Sequence, residues 1–291
     1  MKQIASLGCD LPIALLEATG RYAGPLGYDV DRPTPRAEKW LESKFAPWAF
    51  QILEDWASGA LDHLDMVVFS RGDDTAQRLY YYVCELRRTG SIAGPEPIMM
   101  DVAHIKRASS LDRTIAAVRR LADRLGVAEE ALARSIEPAE APPRAGLTGP
   151  VCLIEGTLPP DRRLHDAVQA CGWTALGDTL PDSWSARAPH EGPADGDAFA
   201  RLGRHIHAAT SGPRSFGDRV AALRARVTDT KAGAVLLWFC EHDEVGAWQS
   251  LPMRRALEAE NVPHLLLVRR DWRGRDGVAG EISAFLAELG R

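Results

Sequence analysis

Two cysteines stand where soft-ligand or thiol chemistry would be expected. Cys9 follows the short apolar run Ile4-Ala5-Ser6-Leu7 in Gly8-Cys9-Asp10, and Pro12 after it suits the first turn of a helix. Cys240 ends the continuous apolar run Ala234-Val235-Leu236-Leu237-Trp238-Phe239 and is followed by Glu241, His242 and Asp243. An uninterrupted apolar run of this length reads as a strand buried on both faces, the signature of a parallel sheet. Ligands of open parallel sheets sit in the crevice outside the carboxyl ends of the strands, which is where both thiols fall. If the two halves of the chain face each other, Cys9 and Cys240 can serve a soft metal centre bound by thiolates from both. His242 and Asp243 beside Cys240 have the chemistry to tune a thiolate, although surface polarity explains them equally well.

The elements that must position these residues alternate between strand and helix. The first half reads as strand Ile4-Leu7, helix Leu11-Thr19 closed by Gly20, and a loop through Tyr28, Pro33 and Pro35. A helical stretch follows from about Arg36 to Ala60, rich in aromatics and breakable at Pro47. Those aromatics, Trp40 to Trp56, are expected to pack in the core, with any part left over available as an association surface. Strand Met66-Ser70 leads through Arg71-Gly72-Asp73-Asp74 into a helix that either aspartate can cap. Strand Ile98-Val102 and helices Leu111-Leu125 and Ala128-Ile136 complete the half. The segment Pro138-Gly146 reads as a linker, dividing the chain into domains of residues 1–140 and 141–291.

The second half repeats the pattern. Strands are expected at Val151-Ile154, Trp173-Leu176, Ala234-Cys240 and His264-Val268. Helices are expected at Asp161-Ala170, Ala198-Ala209, Phe216-Thr228, Trp248-Glu260 and Val278-Leu289, with an irregular polar stretch from Pro181 to Asp195. The implied fold class is α/β, two Rossmann-like parallel-sheet domains facing each other across a cleft.

Composition narrows the function classes. A chain of 291 residues, 45% hydrophobic with net charge -5, can build two full cores, and it lacks the basic field that a nucleic-acid partner requires. The start of the chain lacks the pattern of a signal peptide and no run is long enough to span a bilayer, so a cytoplasmic protein with no membrane partner is expected. Five cysteines without tight spacing argue against a disulfide framework in that compartment. Cys84, Cys152 and Cys171 lie inside or at the end of elements and read as small buried hydrophobes. Gly-x-Ser-x-Gly, Gly-x-Gly-x-x-Gly and the phosphate-loop pattern are absent, and His205 and His207 do not share a helix face.

Three segments carry a resemblance. Gly8-Cys9-Asp10-Leu11-Pro12 with Glu17-Ala18-Thr19-Gly20, then Asp73-Asp74-Thr75-Ala76-Gln77-Arg78-Leu79-Tyr80, then Leu237-Trp238-Phe239-Cys240 with Val262-Pro263-His264-Leu265 occur in a telling order. Together they resemble the 2-hydroxyacyl-CoA dehydratase and benzoyl-CoA reductase subunit family, over nearly the whole chain. That resemblance implies a [4Fe-4S] cluster held by three cysteines, an acyl-CoA thioester substrate reduced by one electron to a ketyl radical, a homologous partner subunit in a heterodimer or homodimer, and an ATP-dependent activator protein. Carried over by residue, the cofactor and metal ligands are Cys9, Cys240 and, where the family has its third cysteine, Asp73. A second departure is Gly280-Glu281, where the family often has Thr-Arg. The resemblance thus implies either an active subunit of such a complex or a degenerate, non-catalytic one that keeps the fold as a binding or structural partner.

Overall fold

The computed structural model describes residues 2–103, 105–136, 149–188, 195–209 and 217–290, so the expected linker Pro138-Gly146 lies outside the described residues. In chain order the first elements are β1 (Gln3–Leu7), α1 (Ile13–Ala18), β2 (Tyr22–Pro25), α2 (Pro47–Ser58), β3 (Leu64–Ser70), α3 (Asp74–Arg88), β4 (Glu96–Met100), α4 (Ala108–Leu125) and α5 (Glu129–Ile136). They are followed by β5 (Val151–Gly156), α6 (Arg163–Gln169), β6 (Thr174–Leu176), α7 (Leu180–Ser185), α8 (Ala198–Ala208), α9 (Arg219–Thr230), β7 (Ala234–Cys240), α10 (Glu244–Ala259), β8 (His264–Arg270) and α11 (Val278–Leu289). The chain divides into two compact units, Met1–Ala141 with Asp182–Phe216, and Pro142–Pro181 with Gly217–Arg291. Residues 182–216, which the domain boundary at 140/141 would put in the second half, therefore group with the first unit.

Each unit is built on a four-stranded, all-parallel sheet, in the order β2-β1-β3-β4 in the first and β6-β5-β7-β8 in the second. In both, the chain leaves the first strand toward one edge and returns to build toward the other. The switch points fall between β1 and β3 and between β5 and β7, the places where such sheets open a crevice at the strand carboxyl ends. β7 is buried along its whole length, as its apolar run requires.

In the first unit, apolar side chains of β1, α1, α4 and α5 join Ala198, Leu202 and Ile206 of α8 in one core. Gly203 lets α8 approach α4 closely, because a Cβ there would come within 2.7 Å of Ile115. In the second unit Leu153, Val235, Leu237 and Phe239 pack with Leu223 and Val227 of α9 and with Met253 and Leu257 of α10.

Several boundaries differ from the expectation for definite reasons. The helical stretch from Arg36 to Ala60 is a single 3-10 turn at Ala37–Lys39 followed by α2, which begins at Pro47. Proline has no N–H to donate and fits a first helical turn, so it starts this helix rather than bending a longer one. Buried Glu54 ties the turn to α2, accepting from Arg36 N at 2.8 Å and Ala37 N at 3.0 Å. Phe45, Trp48 and Trp56 are buried, leaving little of the stretch from Trp40 to Trp56 for a partner. β2, which contains Gly24 and Pro25, has weak strand propensity but is an edge strand, where proline is tolerated. The stretch from Pro181 contains α7, whose Trp184 is only 1% exposed and meets Tyr28 and Trp48 edge-on at ring separations of 5.7 and 5.1 Å. No described helix is long and apolar enough to cross a membrane.

Candidate functional site at the two switch points

The first switch point is formed by the turns after β1 and β3. Leu7 of β1 is in register with Phe69 of β3, so the turns that follow them emerge side by side. Gly8 has φ 98°, and a Cβ on it would lie 2.8 Å from the Ser70 Cβ, so a side chain would be both strained and obstructed. Cys9 comes next and is buried, with its thiol 3.7 Å from Asp10 Oδ2. Asp10 has φ 58°, an uncommon conformation for a residue with a side chain. Burial pushes the Cys9 thiol well above its usual range, and the carboxylates of Asp10 and Asp73 raise it further.

Asp73 stands three residues beyond the end of β3. Its Oδ1 accepts the Ala76 N–H at 2.9 Å, which makes it the N-cap of α3 and settles the choice between Asp73 and Asp74. Ser70 Oγ accepts the Gly72 N–H at 2.9 Å and holds the intervening turn. The first unit thus brings Cys9 and Asp73 to the same crevice, on the ends of neighbouring strands.

The second switch point repeats this construction. Gly156, φ 113°, ends β5, and a Cβ on it would fall 2.3 Å from the Trp238 carbonyl oxygen. Thr157 follows, in the place that Cys9 has after β1. Cys240 ends β7, in the place of Ser70, and Asp243 caps α10 by accepting the Gly246 N–H at 2.7 Å. The Thr157 hydroxyl donates to Asp243 Oδ2 at 2.6 Å and accepts the Cys240 N–H at 3.2 Å, joining the two strand ends. Each unit therefore carries one thiol, one hydroxyl and one capping aspartate at its switch point. The thiol ends up on opposite sides of it: after the first strand in one unit, after the third in the other.

The Cys240 thiol is also raised, first by burial and then by Asp243, Asp271, Asp276 and Glu241. Burial lowers the His242 imidazole, opposed by the same Asp243 and Glu241, and its Nδ1 has no hydrogen-bond partner among the described residues. The nearest strand neighbour of Cys240 is Arg270, whose guanidinium is taken up by Asp276 and Glu281, each at 2.7 Å. Glu281, the second departure from the family pattern, thus holds Arg270. Sequence reasoning missed the two hydroxyls, Ser70 and Thr157. For Ser70 the signal was present in the paired strings Phe69-Ser70-Arg71-Gly72-Asp73-Asp74 and Phe239-Cys240-Glu241-His242-Asp243-Glu244.

The remaining candidates are structural. His207 Nδ1 donates to the Ala103 carbonyl at 2.7 Å inside the first unit. A cavity of about 380 Å³ runs along β4, lined by Tyr80, Ile98, Met100, Ala117, Arg120 and Leu121 among others, but neither Cys9 nor Asp73 lines it. It is the groove beside an edge strand whose Pro97 withholds a donor, a common way of blunting such an edge.

A [4Fe-4S] cluster is the group that the resemblance implies for these residues. Three thiolates hold such a cluster in the family resembled, and thiolate is the ligand that iron-sulfur centres select. Here the third donor is a carboxylate, a harder ligand than thiolate and already engaged as a helix cap. Among the described residues no three His, Cys, Asp or Glu side chains form a group able to hold a metal ion. As it stands, the donor set does not fit a three-thiolate cluster. No family model matches the chain, and no curated protein matches it in sequence.

Proposed function

We propose that this chain is a divergent, non-catalytic subunit of a cytoplasmic complex of the 2-hydroxyacyl-CoA dehydratase and benzoyl-CoA reductase type, which keeps the two-unit α/β fold and serves as a binding or structural partner for a catalytic homologue. The observation that carries the reading is Asp73. At the position where the resemblance calls for a ligand, the side chain caps α3 just as Asp243 caps α10 in the other unit. In this proposal the strand carboxyl ends of the two units face a common cleft, with Cys9 and Cys240 as remnants of the ligand set.

A second reading has its own support. Cys9 and Asp73 flank one switch point and Cys240 flanks the other, the placement that an active iron-sulfur subunit acting on an acyl-CoA thioester would need. Anaerobic reconstitution separates the two. Wild type and Asp73→Cys are treated side by side with iron and sulfide, and bound iron, bound sulfide and visible absorption are measured. The non-catalytic reading expects wild type to retain no stoichiometric cluster and Asp73→Cys to gain one. A full cluster in wild type overturns it in favour of the active subunit, and no cluster in either protein removes the latent site while leaving the non-catalytic role.

A further inference from the structure

The first half of α10 carries apolar side chains on its solvent side. Trp248 is 82% exposed, Val245 64% and Leu251 49%, the largest such grouping on one described helix. Glu244, Trp248, Leu251 and Arg255 are spaced four, three and four residues apart, so they form one straight seam along the helix. Val245 and Pro252 flank that seam. The opposite side of α10, with Met253, Ala256 and Leu257, is buried against its own unit, so the seam is not needed for the core.

The two ends of the seam are charged with opposite sign. Glu244 and Arg255 are both exposed, and neither makes an ion pair with another described residue. Their order along the helix selects one occupant.

We infer that this face of α10 is a self-association surface, on which a second copy of the chain lays its own α10 antiparallel about a two-fold axis. In that arrangement Glu244 lies opposite Arg255 of the second copy, and Trp248 lies opposite Leu251, twice over by symmetry. A parallel arrangement would instead set Glu244 against Glu244 and Arg255 against Arg255. Trp and Arg are also the side chains that most often dominate such contacts. Acidic Glu241 and Glu244 at the head of the seam disfavour an anionic lipid surface as the occupant. The inference rests on α10 alone and stands whether or not a cluster is bound.

The test is sedimentation equilibrium of the full chain over a range of concentrations. A monomer–dimer equilibrium is expected, weakened about tenfold or more by Trp248→Ala. Glu244→Arg and Arg255→Glu should each weaken it, and the double variant should recover most of the wild-type association because the pairs are restored with reversed sign. Circular dichroism of each variant confirms that these exposed changes leave the fold intact. A wild-type monomer at every concentration, a dimer indifferent to Trp248→Ala, failure of the double variant to recover, or binding to anionic vesicles without self-association overturns the proposal.

Discussion

Asp73 and Asp243 hold the same position in their two units. Each stands three residues past the last residue of its strand and accepts the backbone N–H three residues further on. A shared geometric duty of this kind gives the aspartate at 73 a reason to be there that owes nothing to metal.

Removing either cap should therefore lower stability by about 1 kcal/mol, and Asp243→Ala should cost more than Asp73→Ala because Asp243 also receives the Thr157 hydroxyl. Urea unfolding of Asp73→Ala, Asp73→Asn and Asp243→Ala checks this. Asparagine should retain most of the cap, and an unchanged midpoint for Asp73→Ala would remove the assignment.

Gly156→Ala should be strongly destabilising. The new methyl would meet the Trp238 carbonyl oxygen at 2.3 Å with the backbone at φ 113°, so strain and overlap add. Alanine at Gly280, where a Cβ meets open space, is the matched control. Thermal unfolding of the two variants should differ widely, and equal midpoints would mean that the β5 turn relaxes freely.

Alkaline titration should weaken the second unit. Burial, followed by the neighbouring Cys171, pushes the Cys152 thiol from 9.0 up to about 12. Its unfolded form loses its proton first, so the stabilising effect of the neutral thiol is complete below the unfolded value and is lost as pH rises toward the folded one. Urea midpoints measured between about pH 8 and pH 11 should fall less steeply in Cys152→Ala than in wild type, after correction for the methylene and sulfur lost from the core.

Trp184→Ala should cost about 3–5 kcal/mol, the range for deleting a large buried aromatic, because Tyr28 and Trp48 both lose their edge-on partner. Limited proteolysis gives a second readout. Cleavage near residues 182–188 should accelerate sharply, and an unchanged cleavage rate would show that other contacts hold the segment.

Much of this architecture could be read from hydrophobic runs, because strands buried on both faces have no polar alternation to blur them. β3, β5 and β7 are the clearest cases. Elements too short for a period to develop escaped, as with β2 and the six-residue α7. In the site, Cys9 and Cys240 were legible because a polarisable residue at the end of an apolar run stands out. The role of Asp73 was not, since Asp73-Asp74 offers two equivalent caps and only backbone geometry selects one. The Thr157 bridge between β5 and β7 was hidden for another reason: it joins residues 83 and 86 positions apart, a separation that no local pattern reports.

The return of α8 to the first unit sets an order of events during synthesis. Ala198, Leu202 and Ile206 complete a core begun by β1, yet they leave the ribosome only after β5, α6 and β6 of the other unit. Until then α4, with Ile115 at the point where Gly203 of α8 comes closest, has no α8 to cover it, and a nascent chain or a fragment ending near residue 141 presents that face to whatever is nearby. The first unit thus cannot close until α8 is made, and its dependence on chaperones should be greatest in the interval before residue 208 is made.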